Sequence, residues 1–220
     1  MPSPKLLPYR ISTQLLKLKF VSKFNLLILS TFIFYSVVAT ANIEAILGIP
    51  IKENRNLAGF MPTGEISEII ISREQYVISY NKERRAPNWA AWELEAGQIG
   101  NSGRSKFFLV DSELENYLAQ ADTKYKATDP AEFIDSCFDR GHQVLSADRS
   151  DIHENNQITF LMSNILPQTP FLNRVIWEHL EQYTRNLVRT ENKKVFIIAG
   201  PIYNEDFGSI GPLKNILIPS

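Results

Sequence analysis

From Tyr76 to Tyr80 apolar and polar positions alternate as in a strand, and Asn88 to Leu94 reads as its hairpin partner across the charged turn Asn81 to Pro87. Trp89 and Trp92 are expected in the core. A lead-in segment precedes this hairpin: Leu47-Gly48-Ile49-Pro50, the polar stretch Lys52 to Asn56, then an apolar run from Ile66 to Ile71. Residues 111–136 are acidic and read as helical or irregular, with a turn at Asp129-Pro130. After the polar loop Asp151 to Gln157, Ile158-Thr159-Phe160-Leu161-Met162 is short, β-rich and bounded by polar residues, which predicts a strand. A helix is expected from near Asn173, because Leu172, Ile176, Leu180, Leu187 and Val188 recur at mostly three- and four-residue intervals. Trp177 and Tyr183 widen that stripe. Val195 to Ala199 reads as a buried strand ending at Gly200-Pro201, and Ile216-Leu217-Ile218 has the composition of a further strand beginning.

The first part of the chain follows a different pattern. Lys5, Arg10, Lys17, Lys19 and Lys23 precede the uncharged, mostly apolar run Leu26 to Ala41, and no acid occurs before Glu44. Ala39-Thr40-Ala41 fits a small-residue cleavage site, so residues 1–41 read as a signal peptide. The run is short for a membrane span, yet the long basic lead keeps an uncleaved anchor through residues 26–41 open. A secreted or periplasmic protein is expected, with 42–220 as the folded domain.

The whole chain has 220 residues and a net charge of −1, which by itself does not suggest a nucleic-acid binder. Without the five early cations, 18 basic residues face 24 acidic ones, a balance of −6. A protein of that balance that binds polyanions must gather its positive charge in one cleft. Cys137 is the only cysteine, so no intramolecular disulfide forms, and it is expected to be buried on the strand leading into Asp139. Cys137, His142 and His153 lack the paired spacing of a zinc site.

Candidate chemistry concentrates between residues 138 and 185. Gly141 lets the backbone approach something closely, or take a positive φ, beside His142. An imidazole there can serve as a general base. Arg140, Arg149 and Arg185 could supply bidentate contacts to phosphate. Asn173 could cap its helix or present an amide oxygen to a hard cation. Taken singly, each has an ordinary reading: a hydrogen-bonded histidine, a cap, and a surface ion pair between Glu181 and Arg185.

The combination is more specific. Asp139-Arg140-Gly141-His142, Ala147-Asp148-Arg149, Ser163-Asn164 with Pro167-Gln168, Leu172-Asn173 with Trp177, and Leu180-Glu181 with Arg185 follow one another in order. This series resembles the signature of the DNA/RNA non-specific endonucleases, ββα-metal (His-Me finger) enzymes that include secreted bacterial nucleases and mitochondrial endonuclease G. The likeness runs from about Leu47 to Tyr203. It implies an α+β fold, a mixed or antiparallel sheet carrying a ββα active-site unit. It also implies magnesium-dependent hydrolysis of DNA and RNA, with manganese able to substitute. His142 would be the base, Asn173 the direct metal ligand and Glu181 the holder of metal-bound water. Arg140, Arg104 and Arg185 would bind phosphate, and Asn164 would order the site. Arg104 matches by order and context alone, after the glycine-bearing loop Gly97 to Gly103. Relatives continue past the point where this chain ends, so the resemblance also implies a domain incomplete at its C-terminus. The competing expectations are a non-catalytic nucleic-acid-binding or surface protein that keeps the fold, and a different metal-dependent phosphoesterase acting on small esters.

Overall fold

The structure, a computed structural model, describes residues 42–220 except residue 60 and residues 63–66. The expected signal segment lies outside the described residues. In chain order the strands β1 (Asn42–Gly48), β2 (Ser67–Ser72), β3 (Val77–Asn81) and β4 (Ala86–Leu94) come first. The helix α1 (Ser112–Ala121) follows, then β5 (Asp139–His142), α2 (His153–Ile158), β6 (Ile165–Gln168) and α3 (Glu178–Glu191). Last come β7 (Val195–Ala199), β8 (Ser209–Ile210) and β9 (Ile216–Leu217). Five strands form one mixed sheet in the order β1-β2-β3-β4-β7, with β1 parallel to β2 and the other pairs antiparallel. The α+β expectation holds.

The β3–β4 hairpin forms where alternation placed it. Its turn is set by Asn81, whose side-chain oxygen accepts from the backbone N–H groups of Glu83 and Arg84 at 3.0 Å each. Ile69, Ile71, Tyr76, Ile78, Tyr80, Ala90, Trp92 and Leu94 fill one face of the sheet beneath Leu114 and Leu118 of α1. Ile70, Val77, Trp89 and Ala91 face the other way, against Leu57. Strand periodicity thus sends the two tryptophans to opposite faces, each in a core.

Four expectations fail locally. Ile158 to Met162 is not a strand: the polar stretch before it coils into α2, and Met162 opens a single 3₁₀ turn. Its Thr159, Phe160 and Leu161 N–H groups close local turns onto Asn156, Gln157 and Ile158, and two bonds go to one distant residue, with Leu109 N–H donating to the Phe160 carbonyl and Met162 N–H to the Leu109 carbonyl. The strand partner of β5 is β6, a few residues later, with Pro167 opposite Arg140 in a two-stranded ribbon. Second, the Asn173 helix begins at Pro170, after Thr169. The Thr169 hydroxyl accepts from Leu172 N–H at 3.2 Å, so Thr169 caps the helix. Leu172–Trp177 then forms a π-helical turn that leads into α3. The apolar stripe is correspondingly not buried as a whole: Val188 is buried, whereas Ile176, Leu180 and Tyr183 are exposed. Third, β7 is an edge strand whose Phe196 and Ile198 are exposed, not a buried one. Cys137 is also exposed, at φ 64, ahead of β5.

Candidate active site

The β5–β6 ribbon and the helix after it form the ββα unit, and the motif residues from Asp139 to Arg185 gather on and around it. Gly141 is suited by close approach, not by positive φ. A Cβ at Gly141 would lie 2.2 Å from the side-chain carbonyl of Gln168, which packs across the ribbon. His142, at the end of β5, is 7% exposed. Its ring meets Phe160 edge-on at 4.7 Å and Phe108 at 5.5 Å. Burial, and then the charge of Arg104, holds its imidazole down to about 3, so it is neutral. Its Nε2 is buried and has no hydrogen-bond partner among the described residues. An orphaned ring nitrogen in an aromatic pocket is costly unless it serves something else.

Two groups of charged side chains flank this imidazole. Arg104 lies over the Phe160 ring at 4.9 Å and donates to the Ser146 hydroxyl. It attracts Glu181, whose carboxyl is pushed up to about 7 by burial, against the pull of Arg185. Arg185 stands 3.7 Å from Glu181 and 3.1 Å from Asp148, which is wholly buried and also accepts from the Trp92 indole at 2.9 Å. The Glu181–Arg185 pair is thus not a simple surface pair. On the other side, Arg140 lies over Phe108 at 5.3 Å and donates from Nε and Nη2 to the Pro130 carbonyl. With Phe108, Asp139, Asn173 and Arg174 it lines a cavity of about 310 Å³. Phe108 belongs to both halves, touching the His142 ring and roofing Arg140.

The sequence matches a family model described as DNA/RNA non-specific endonuclease over residues 54–220. The chain belongs to the DNA/RNA non-specific endonuclease family. It is 38% identical over 161 residues to a nuclease of Nostoc sp., covering 72% of this chain and 54% of that protein. It is 32% identical over 134 residues to the mitochondrial endonuclease G of Homo sapiens, covering 60% of this chain and 42% of that one. A crystal structure of an EndoG/EndoGI complex shares the fold, with a TM-score of 0.63 at 24% identity over 78% of this chain and 71% of that one. The chain spans about half the length of the curated relatives it matches.

Within the family's ββα unit, the expected residues divide by what competes for their polar atoms. Arg149, expected as a phosphate contact, is 1% exposed, and its guanidinium is spent on the carbonyls of Gln75, Asp148 and Glu93. It ties loops together and cannot reach a ligand. Asn164 is fully buried and donates to the Val144 and Thr159 carbonyls while accepting from Val144 N–H. All its polar atoms are used, so it fixes the segment that follows His142. Arg104, Arg140 and Arg185 keep the edge of the site.

Asp139 and Asp148 lie inside the matched motifs, but sequence reasoning gave them no role. Asp139 accepts from the Asn173 side-chain amide at 2.9 Å, and from Arg174 at 2.8 and 2.6 Å. Arg174, with the Asn173 amide, holds its carboxyl below the usual range. A carboxylate accepts only, so it takes the Nδ2 end of Asn173 and leaves Oδ1 turned away from it. That Oδ1 has no partner among the described residues. The metal implied by the resemblance fits this arrangement only in one form. Among the described residues no group of three or more His, Cys, Asp or Glu could hold an ion, and the Cys137, His142, His153 set does not assemble. A single amide oxygen suits a hard cation that keeps most of its water.

Proposed function

We propose that this chain is a magnesium-dependent endonuclease, with manganese able to substitute, that hydrolyses phosphodiester bonds of DNA and RNA with little sequence preference. The observation that carries the reading is the buried, neutral His142 imidazole with its unpartnered Nε2. His142 accepts a proton from the attacking water. At about 3 its basicity is low for that task, and one of the two causes is the charge of Arg104. A phosphate beside Arg104 cancels that charge and raises the basicity of His142 as substrate binds. Asn173 would hold the cation through Oδ1, Glu181 would hold water on it, and the bound ion would stabilise negative charge on the phosphate. Arg104, Arg140 and Arg185 orient the phosphate, and Asn164 keeps His142 in place. No base-reading groups are required for this chemistry, which suits broad substrate use.

Residues 1–41 would export the protein, cleaved after Ala41 or kept as an anchor; N-terminal sequencing of exported material would show Asn42 first in the cleaved case. The catalytic reading is tested by nicking of supercoiled plasmid and RNA with and without EDTA. His142→Ala should fold normally and lose about 10²–10⁴-fold in rate, the usual worth of a general base. Wild-type-like nicking by that variant would remove His142 from the chemistry. Retention of duplex with no metal-dependent cleavage by the wild type would make the protein a binding module.

A further inference from the structure

Asp139 does two things at the cation position at once. It fixes which end of the Asn173 amide faces away from it, and it supplies the negative charge next to that amide. Both of its oxygens are also engaged by one exposed side chain: Arg174 Nε donates to Oδ2 at 2.8 Å and Nη2 to Oδ1 at 2.6 Å. Of the charged groups lining the cavity, Asp139 carries one negative charge and Arg140 and Arg174 one positive charge each. The cavity is therefore electropositive as it stands. That arrangement favours a phosphate and opposes a divalent cation.

We propose that Arg174 competes with the metal ion for the charge of Asp139, and so sets how much cation the site requires. The proposal rests on the reading of Asn173 as the cation's ligand given above. Arg174 suits a competitor and not a structural strut. Its side chain is 68% exposed, against 16% for Asp139, so the pair can open without exposing any core. Asp139 does not depend on Arg174 for its place, because it sits in β5 paired to Gln168 and accepts separately from Asn173. Removing the guanidinium leaves the carboxylate in position with its charge uncompensated. Removing the carboxylate frees the Asn173 amide to turn and leaves two positive groups beside it.

The signs of the two effects are opposite, which makes the idea testable without any turnover. Manganese binding to the full chain would be measured by electron paramagnetic resonance at low salt, with no nucleic acid present. Arg174→Gln should tighten binding about two- to five-fold, in keeping with an exposed ion pair, and the gain should shrink as salt is raised. Asp139→Asn should weaken binding in a chain whose circular dichroism and melting match the wild type. Asn173→Ala should remove the site. If the wild type shows an Asn173-dependent site that Arg174→Gln leaves unchanged or weakens, Arg174 is no competitor, and the reading of Asn173 stands. If the wild type binds manganese no differently from Asn173→Ala, both the ligand assignment and this inference are wrong.

Discussion

His142 and Glu181 should pull the pH dependence of stability in opposite directions, and each can be exposed by removing the other. An imidazole ordinarily titrates near 6.5; in the fold His142 is held down to about 3. Below pH 6.5 the unfolded chain takes up a proton that the folded chain refuses, so this group's contribution falls as pH falls. At about pH 5, roughly 1.5 units below the ordinary value, and at about 1.4 kcal/mol per unit, the loss is about 2 kcal/mol. Glu181 runs the other way. Its carboxyl ordinarily titrates at 4.5 and is pushed up to about 7, so between those values the folded chain keeps a proton that the unfolded chain releases. Lowering the pH from about 7.5 to about 5 therefore stabilises through Glu181 by about 2 kcal/mol. In the wild type the two nearly cancel. His142→Gln should unmask Glu181, so that stability relative to wild type rises by about 2 kcal/mol across that window as pH falls. Glu181→Gln should unmask His142 and give a relative fall of similar size. Urea unfolding followed by tryptophan fluorescence, without divalent ions, measures both; the other carboxylates drop out of the difference between variant and wild type. Parallel curves for wild type and His142→Gln would show that the imidazole is not held neutral by burial, and the argument built on it would fail.

Two further outcomes follow from the packing. Asn173→Ala should leave stability within about 0.5 kcal/mol while abolishing metal-dependent cleavage, whereas Thr169→Ala should cost about 0.5–2 kcal/mol, because Thr169 and not Asn173 caps the helix; equal destabilisation in thermal melts would return the cap to Asn173. Arg149→Ala should cost about 3 kcal/mol or more, since it strands the buried carbonyls of Gln75, Asp148 and Glu93; unchanged urea midpoints with weakened oligonucleotide binding would make it a phosphate contact after all.

The parts of this molecule that were legible in its sequence are those fixed by neighbours in the chain. Alternation placed β3 and β4, and the motif from Asp139 to His142 placed the ribbon that carries the imidazole. Ile158 to Met162 has strand composition, but its N–H groups close local turns and its extended contact is with Leu109, some fifty residues away, a partner about which composition holds no information. Thr169-Pro170 is a local start signal for the helix, a hydroxyl cap followed by proline at the first position. The apolar periodicity beginning at Leu172 outweighed it, and that periodicity does not register a π-helical turn. Each added residue rotates the helix face by about 100°, so an irregular turn redirects every side chain after it. Leu180 and Tyr183, inside by pattern, are exposed, as are Leu172 and Ile176 within the π-helical turn.

The arginines make the sharper case. Arg140, Arg149 and Arg185 look alike in sequence, each beside a motif residue and each able to fork around a phosphate. What separates them is competition for their donors. Arg149 meets three carbonyls in a closed space and is spent. Arg185 meets one buried carboxylate, Asp148, which is itself held by Trp92 from a strand far away in the chain. That contact aims the guanidinium without using all of it. Arg140 gives two donors to a single carbonyl and lies over Phe108 at the rim of the cavity. An arginine can act on a ligand only with donors the fold has not already claimed, and the claimants here are backbone carbonyls and a carboxylate that no motif spacing encodes.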